Sequence, residues 1–358
     1  MSVEFIGMIQ PQKVSETHLA KGPAIDIEYL RAFAQAHENA GFDRILVPYQ
    51  STSPDALLTV AYAAGVTKRV NFMLAHRPGF VAPTLAARQI ATLDQLSGGR
   101  LAVHFISGGS DAEQRRDGDY LSHDDRYART DEYLHILRRV WTEAAPFDHH
   151  GRFYRFEQAY SDVRTKQAPH VPIYFGGASA PAIEVAGKHA DVYALWGESK
   201  EQVREQVTRV RAEAAKHGRS VRFSVSFRPI LADTEAAAWE RAEHILAETR
   251  RLRAEQGLGE GAPLQSEGAR RLLAAAGDGV RADERLWTGV AKEIGGRSNS
   301  TALVGTPAQV AETLAQYHEL GVTTFLIRGF DPLEDAIDYG RELIPATREL
   351  TSRVAHAA

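Results

Sequence analysis

The sequence predicts a (β/α)8 TIM barrel, an α/β fold in which eight parallel strands alternate with helices. Eight short runs, rich in β-branched and aromatic residues, are almost continuously apolar, as strands of a parallel sheet covered on both faces are. Longer helical patterns separate the runs, and several end in glycine, which commonly stops a helix. Eight such pairs in 358 residues match the usual size of this barrel. An open doubly wound sheet is the alternative, and it is disfavoured because no Gly-x-Gly-x-x-Gly follows the first strand.

The predicted strands are distributed evenly except near the end of the chain. They span residues 3–9, 44–49, 71–76, 101–107, 172–177, 192–197, 222–231 and 323–329. After residue 231 a helical pattern is followed by a glycine-containing stretch that is long for a loop in a compact domain. We therefore expect a single domain over residues 1–358, with an insertion between strands 7 and 8, over about 255–300, that acts as a mobile lid.

Composition excludes several classes of function. The formal net charge is −4, whereas nucleic-acid-binding proteins usually carry a basic excess. The chain has no cysteine, which excludes disulfides, thiolate metal ligands and cysteine nucleophiles and is consistent with a reducing compartment. The first residues lack the basic start and apolar run of a signal peptide, and no apolar run is long enough to span a membrane. We expect a soluble cytoplasmic protein.

The functional residues of such a barrel lie at the carboxyl ends of its strands. The side chains predicted there are polar, aromatic and basic. They are Gln10 and Gln12, residues 49–53, His76 and Arg77, residues 107–111, 176–179 and 196–198, Ser226 and Arg228, and Arg328 and Phe330. This set predicts a site for an anionic ligand with a flat apolar part, and not a cluster of metal-binding carboxylates.

Several motifs carry a resemblance to a known family. Residues 77–134, which include RPGFVAPTLAARQIATLDQLSGGRLAVHFISGGSD and LSHDDRYARTDEYL, resemble the signature region of the bacterial luciferase-like flavin-dependent monooxygenases. The segments PIYFGGAS, DVYALWGES and TALVGTPAQVAETLAQYHELGVTTFLIRGF are similar to later signatures of the alkanesulfonate monooxygenase branch. The resemblance spans nearly the whole chain.

The resemblance implies a two-component enzyme. An NAD(P)H-dependent FMN reductase would supply FMNH2, which the barrel protein would use with O2 to oxygenate a small anionic organosulfur substrate. For an organosulfonate the products would be an aldehyde and sulfite. Helical faces rich in alanine and leucine permit a homodimer or homotetramer. Three alternatives stay open: an FMNH2-dependent monooxygenase of a non-sulfur substrate, an F420-dependent oxidoreductase on the same fold, and a non-catalytic flavin-binding protein.

The stretch SHDDRY places His123 and Tyr127 at the start of a helical pattern. A helix start with a histidine donor and a phenol donor suits a phosphate, and the resemblance implies the phosphate of FMN. The alternative is that Asp124 or Asp125 caps the helix while His123 is solvated. A metal site is disfavoured because no third ligand is evident.

A second half of the phosphate site is predicted at the helix after the fifth strand. Gly177, Ala178 and Ser179 open that helix, where glycine lets the backbone approach a ligand and free N–H groups favour an anion. A plain tight turn is the alternative. The resemblance also implies an unusual peptide conformation in the motif HRPG beneath the flavin, with His76 and Ser107 facing the cofactor. For both side chains, a position on the barrel rim without a ligand is the alternative.

The resemblance further indicates residues for the substrate. Trp196 matches a position that lines the substrate and flavin pocket, although a core tryptophan at the rim is the alternative. Four arginines offer the paired donors that bind sulfonate or carboxylate, namely Arg77, Arg228, Arg297 and Arg328. Arg297, at the end of the predicted insertion, is similar to a lid arginine that closes over the site.

The substrate half of the site departs from the alkanesulfonate pattern. The branch has Arg-x-His on the seventh strand, where this chain has Ser226 and Arg228, so a histidine that could shuttle protons near neutral pH is absent. Arg228 can stabilise an anion but makes a poor base. Ser53 stands where the branch has a cysteine. Arg328 stands where it has a small residue, and Phe330 stands where it has a tyrosine. These changes predict a rebuilt substrate site and a different sulfonate, or another acid, as substrate.

Two further polar segments are assigned structural roles. Asp111 is expected to hold its loop and not to act as a base. The stretch FDHHG, from residue 147, is expected to be a solvated turn and not a ligand pair.

Overall fold

Strands and helices alternate along the chain in this computed structural model, which describes residues 3–258, 266–274, 279–297 and 300–357. The strands are β1 Glu4–Met8, β2 Arg44–Val47, β3 Asn71–His76, β4 Leu101–Phe105, β5 Phe147–His150, β6 Arg155–Ala159, β7 Ile173–Gly176, β8 Val192–Trp196, β9 Arg222–Leu231, β10 Leu286–Trp287, β11 Ala302–Gly305 and β12 Val322–Ile327. The helices are α1 Ile27–Asn39, α2 Ala56–Gly65, α3 Pro83–Leu96, α4 Asp111–Arg116, α5 His123–Thr142, α6 Ala180–His189, α7 Lys200–Lys216, α8 Glu235–Glu255, α9 Glu267–Ala274, α10 Gly289–Glu293, α11 Pro307–Glu319, α12 Pro332–Asp338 and α13 Ile344–Ala357, with a π-helical turn at Tyr339–Leu343.

Eight of these strands form a closed parallel barrel with alternating helices, which confirms the predicted TIM barrel. The ring runs β9-β12-β1-β2-β3-β4-β7-β8, and β8 pairs with β9 to close it. Each ring strand lies where the sequence predicts one, with ends that differ by at most two residues. The apolar runs of the sequence therefore correspond to the eight strands of the barrel.

The chain divides into two compact units. The first unit comprises Met1–Leu46, Ala194–Thr208 and Arg222–Ala358, and the second comprises Val47–Tyr193 and Arg209–Val221.

In the second unit, α5 packs between α3 and α6. Its buried face carries Leu134, Leu137 and Trp141 at helical spacing, and each such side chain contributes about 1.5–3 kcal/mol when fully buried. The indole N–H of Trp141 donates to the carbonyl of Ala87 in α3 at 2.9 Å. This fixes α5 beside the parallel strands β3, β4 and β7, which pair in register.

In the first unit, the long strand β9 pairs with two partners. Its first half pairs with β12, and its second half, from Arg228 onwards, pairs with β11. Helix α8 covers this region through a buried cluster that includes Ile230, Ala242, Trp287 and Phe330. The cluster gives the second half of β9 and the chain after β12 a buried apolar base.

The stretch FDHHG is not a solvated turn, so that expectation was wrong. Residues 147–150 form β5, which pairs antiparallel with β6. His149 Nε2 lies 3.0 Å from Glu132 Oε1, and the same carboxylate accepts from the backbone N–H groups of Phe153 and Tyr154. One half-buried acid on α5, Glu132, thus holds the hairpin, and local sequence does not show this long-range contact.

The predicted insertion contains regular structure in its described parts. It includes α9, β10 and α10, while residues 259–265, 275–278 and 298–299 lie outside the described residues. β10 pairs antiparallel with β11, which continues the sheet beside β9. Its role as a lid stays a prediction.

Among the described residues, no helix is both long enough and apolar enough to cross a membrane.

Candidate functional site

The start of α6, in the second unit, has the properties of an anion site. Gly177 precedes the helix with φ 139°, and a Cβ there would lie 2.9 Å from the Tyr127 hydroxyl. Ser179 is the N-cap, yet its side chain makes no capping hydrogen bond. Its Oγ is buried and makes no hydrogen bond of ordinary geometry to any described residue. Because an unsatisfied buried hydroxyl costs about 1–3 kcal/mol, an anion accepting from Ser179 and the free N–H groups would be stabilised here.

Tyr127 presents its hydroxyl to this helix start. The side chain is buried on α5, and its ring packs edge-on against Phe175 of β7 and against His123. Burial raises the pKa of the Tyr127 phenol, and the nearby Ser179 hydroxyl and Arg126 only partly offset that rise. The phenol therefore stays protonated near neutral pH and can donate to an anion.

His123 is the first residue of α5, and Ser122 is the N-cap. Ser122 Oγ accepts from the backbone N–H of Asp125 at 3.2 Å, so the alternative in which Asp124 or Asp125 caps the helix was wrong. The His123 side chain is 45% exposed and its Nδ1 lies 2.7 Å from Asp124 Oδ1. It is thus more open to solvent than Tyr127, and its ring lies 4.9 Å from the Tyr127 ring.

His76 and Ser107 are held by the same helix. His76 Nε2 lies 2.8 Å from the Tyr133 hydroxyl, and Ser107 Oγ lies 3.0 Å from Thr130 Oγ1. Burial lowers the pKa of His76 to about 4, so the ring is neutral at physiological pH. Residues 127, 130 and 133 lie on one face of α5. This single helix therefore contacts the chain at the ends of β7, β4 and β3 and fixes the positions of the residues there.

The expected unusual peptide conformation in HRPG is limited to one residue. The peptide bonds of residues 76–79 are trans, and Gly79 has φ 105°. A Cβ at Gly79 would lie 2.3 Å from the Arg129 guanidinium carbon. The glycine is therefore needed both for its backbone angle and for the close approach of Arg129.

Arg77 and its neighbours form an ionic cluster within the second unit. Arg77 is buried over the Tyr49 ring, and its Nη2 lies 3.0 Å from Glu113 Oε1. Asp111 lies 2.9 Å from the buried Arg126, which fits the expected structural role. Ser53 is exposed in a turn, where its N–H donates to the carbonyl of Gln50.

In the first unit, Arg228 is fully buried and paired with a residue that the sequence prediction missed. It donates to the carboxylate of Glu16 and, at 2.8 Å, to the carbonyl of Gly329. Its guanidinium lies 3.6 Å from the centre of the Phe330 ring. Burial alone would raise the pKa of Glu16, but Arg228 and Arg328 outweigh it and lower the pKa to about 2. The only signal for Glu16 in the sequence is that it is the sole acid between Met8 and Asp26.

Arg328 belongs to the same cluster but is more accessible. Its Nη2 lies 3.7 Å from Glu16 Oε1, and its side chain is 17% exposed. Burial and the neighbouring Arg228 lower the pKa of Arg328 to about 10. A cavity of about 20 Å³ borders both arginines, Gln10 and Gln12, which is room for about one water molecule.

Trp196, at the end of β8, lies beneath the predicted insertion. A Cβ at Gly268 in α9 would lie 3.5 Å from the Trp196 indole. Arg271, one turn further along α9, lies 2.9 Å from Glu198 Oε2 and 3.0 Å from Glu205 Oε2. Since Glu198 is buried, this ion pair fixes α9 close to Trp196, and the sequence prediction missed it.

The remaining predicted side chains are placed as follows. Ser226 is buried on β9, opposite Leu326 of β12. Arg297 is exposed after α10. Across the part of the chain that the structure describes, no group of three His, Cys, Asp or Glu residues could hold a metal ion.

Solved structures share this fold at low sequence identity. They include a riboflavin lyase with modified FMN and riboflavin, with 18% identity, a TM-score of 0.80 and coverage of 98% of this chain and 92% of that one. An EDTA monooxygenase from Chelativorans sp. BNC1 has 20% identity, a TM-score of 0.77 and coverage of 99% and 94%. A coenzyme F420-dependent tetrahydromethanopterin reductase from Methanopyrus kandleri has 18% identity, a TM-score of 0.70 and coverage of 96% and 99%. At these identities the similarity shows the fold alone.

The sequence itself matches a family. The model of the luciferase-like monooxygenase family matches residues 4–324, which is most of the chain and includes every barrel strand at least in part. The protein therefore belongs to the luciferase-like monooxygenase family.

Proposed function

We propose that this protein is the oxygenase component of a two-component, FMNH2-dependent monooxygenase. A separate NAD(P)H-dependent FMN reductase would supply FMNH2, and O2 would be the second substrate. The observation that carries the proposal is the start of α6, where a buried Ser179 hydroxyl without an ordinary partner adjoins Gly177 and the Tyr127 phenol. Family membership supports the same chemistry.

The residues at the start of α6 fit the phosphate of FMN. Ser179 Oγ and the Tyr127 hydroxyl would donate to the phosphate oxygens, together with the first backbone N–H groups of the helix. Ala178 would contribute through its backbone, and His123 would approach from the solvent side. Gly177 leaves the space that any Cβ would fill. The phosphate would therefore be recognised by its negative charge and by its fit among these hydrogen-bond donors.

The other two side chains predicted to face the flavin, His76 and Ser107, would be uncharged. His76, with a pKa lowered to about 4 by burial, would present an uncharged ring. Ser107 is held by Thr130 and cannot reorient without breaking that contact. FMNH2, when bound, supplies the two electrons that activate O2, while the buried surroundings of these side chains exclude water.

We propose a small organosulfonate as the first substrate class to test. The reaction would convert the sulfonate, O2 and FMNH2 into an aldehyde, hydrogen sulfite, FMN and water. Support comes from the resemblance to the alkanesulfonate branch, from Trp196 beneath α9, and from the partly exposed guanidinium of Arg328. Arg297, exposed after α10, would close over the bound substrate. Ser226, buried on β9 of the same unit, would complete this site.

Two alternatives are favoured by specific observations. The ion pair of Arg228 with Glu16 removes one of the expected sulfonate receptors and favours an FMNH2-dependent monooxygenase of a non-sulfur substrate. The fold shared with a coenzyme F420-dependent reductase favours an F420-dependent oxidoreductase.

Sulfite release tests the proposal. The purified protein would be mixed with FMNH2 from an independent reductase, O2, catalase and a series of short and long alkanesulfonates. Sulfite above the control without protein establishes desulfonation, and the chain-length preference describes the pocket. Absence of sulfite together with tight anaerobic FMNH2 binding would refute the organosulfonate as substrate and would still support FMNH2 as the cofactor. Absence of both overturns the whole proposal.

A further inference from the structure

The side chain of His104, in the second unit, lies on the inner face of the barrel. Phe105 of β4 contacts Tyr133 of α5, with ring centres 6.4 Å apart. On the neighbouring strand β7, Phe175 contacts Tyr127 of the same helix, with ring centres 6.2 Å apart. Successive side chains of a strand point to opposite faces of the sheet. Because Phe105 faces α5 outside the barrel, His104 faces the interior.

The ring of His104 borders accessible space. His104 pairs with Ala75 of β3 on one side and with Tyr174 of β7 on the other. Ala75 extends no further than its Cβ, so β3 contributes little bulk beside the imidazole. The histidine is half-buried, although its backbone is covered by a strand on each side. The accessible part of this residue is therefore its side chain.

The Nδ1 atom of this ring has no hydrogen-bond partner among the residues that the structure describes, and it is buried. Burial alone lowers the pKa of His104 to about 4, so the imidazole is uncharged at neutral pH and one of its nitrogens is an acceptor. A buried acceptor without a donor costs about 1–3 kcal/mol. A half-turn of the ring about Cβ–Cγ exchanges Nδ1 with the carbon Cδ2, which presents the nitrogen on the other side without moving the backbone.

His104 is close along the chain to the proposed flavin site. It precedes Ser107 by three residues, and its neighbour Tyr174 precedes Gly177 by three residues. Three residues of a strand span about 10 Å. A flavin whose phosphate lies at the start of α6 would extend its ring over the ends of these strands, next to the inner face that carries His104.

A single acceptor nitrogen matches one part of a reduced flavin ring. Position 5 of that ring carries one N–H donor. The pyrimidine edge presents an N–H between two carbonyl groups, so it needs donors as well as an acceptor, and the dimethylbenzene edge has no polar atom. A reduced deazaflavin such as reduced F420 has a CH2 group at position 5 and offers no donor there.

We propose that Nδ1 of His104 accepts a hydrogen bond from N5–H of the bound reduced flavin and thereby selects FMNH2 over a reduced deazaflavin. The inference rests on the proposed function and deepens it, because it assigns the choice of cofactor to one residue inside the barrel. Since the imidazole is uncharged, its contribution is directional and depends on the donor at position 5.

Two probes that differ only at position 5 test the inference. Reduced FMN and reduced 5-deaza-FMN share the phosphate, the ribityl chain and the pyrimidine edge, and anaerobic calorimetric titrations would give both dissociation constants. The native protein is expected to bind reduced FMN about tenfold more tightly, because the deaza probe leaves Nδ1 without a donor. In ¹⁵N NMR spectra, N5 of labelled FMNH2 should resonate further downfield in the native complex than in His104→Leu.

Variants of His104 separate the contact from a structural role. His104→Leu should make the two dissociation constants about equal. His104→Asn, whose amide oxygen can take the place of Nδ1, should retain a preference for reduced FMN. His150→Leu, at an exposed histidine of β5, is the control and should leave the preference unchanged. Thermal unfolding would verify that each variant is folded. A histidine with only a structural role would change both dissociation constants by the same factor.

The outcomes separate this inference from the proposed function. Equal binding of the two reduced probes by the native protein would mean that an ordered water satisfies Nδ1, and it overturns the inference while the FMNH2-dependent function stands. A preference that persists in folded His104→Leu has the same consequence. Absence of FMNH2 binding overturns the proposed function, and the inference with it.

Discussion

Ser179 illustrates how one side chain can hold a structural position and still be available for a ligand. Serine at a helix N-cap normally accepts from a backbone N–H of the first turn, as Ser122 does for α5. Ser179 has the same position at α6 without that hydrogen bond. The difference between these two serines is the local observation that supports the proposed anion site in the second unit.

Removing the donors at this helix start should weaken flavin binding. Ser179→Ala and Tyr127→Phe are each expected to raise the anaerobic Kd for FMNH2 about tenfold to a hundredfold, because each deletes a hydrogen bond to a charged phosphate. His123→Ala should have a smaller effect because its side chain is 45% exposed. Tyr120→Phe, at an exposed tyrosine, is the matched control. Native affinity in both of the first two variants would refute the phosphate site.

The ionisation of Glu16 should make the free energy of unfolding fall as the pH is lowered into the acid range. Its pKa falls from an ordinary value of 4.5 to about 2 on folding, so its contribution is fully present above about pH 4.5 and is lost as the pH falls through about 2. The shift corresponds to roughly 3 kcal/mol. Urea unfolding of the native protein and Glu16→Gln between pH 6 and 2.5 should show a free-energy difference that is largest at pH 6 and shrinks on acidification.

The control for this prediction is Glu349→Gln, at an exposed pair with Arg353, which should change stability by less than about 1 kcal/mol. A difference between native protein and Glu16→Gln that stays constant or grows as the pH falls would show that the carboxylate is not held as described.

Among the elements, α5 contributes most to the proposed flavin site. Tyr127, Thr130 and Tyr133 lie three residues apart and contact the chain at the ends of β7, β4 and β3 respectively. The sequence predicted that this helix starts at SHDDRY, because polar capping residues precede a periodic apolar pattern. It could not show which strand each side chain meets, since those partners lie 20 to 60 residues away.

The ion pair that anchors α9 should control local opening of this element. Arg271→Met leaves Glu198 buried without its partner, and breaking a buried ion pair in this way typically costs about 3–5 kcal/mol. Amide hydrogen exchange over residues 267–274 should accelerate at least tenfold, while exchange in α5 stays unchanged. Arg270→Met, beside it and exposed with an i,i+3 partner, is the matched control and should have little effect. Equal exchange in both variants would contradict the anchor.

Arg297 should act on the closed complex. Arg297→Ala is expected to lower kcat more than it weakens FMNH2 binding, because a lid residue contacts the site only after closure. Steady-state kinetics and anaerobic titration would be compared with Arg270→Ala, on the same insertion. Unchanged steady-state activity would rule out Arg297 as a lid arginine.

For the whole molecule, the sequence predicted the barrel well because its strands are short apolar runs buried on both faces. The β5–β6 hairpin was missed because its polar residues carry no comparable pattern. The four-residue β11 was missed because it lies outside the closed ring, where it pairs with the second half of β9 and with the two-residue β10. The residues of the proposed flavin site could be named from helix starts and strand ends, and their role stays a prediction. Glu16 was not, because it pairs with Arg228 from 212 residues away.

An anaerobic titration with FMNH2 and, in parallel, with reduced F420 tests most directly whether this barrel binds FMNH2. We expect saturable binding of FMNH2, weakened in Ser179→Ala and Tyr127→Phe, with much weaker binding of reduced F420. Tight binding of reduced F420 with no binding of FMNH2 would refute the proposed FMNH2-dependent function and assign the barrel to deazaflavin chemistry.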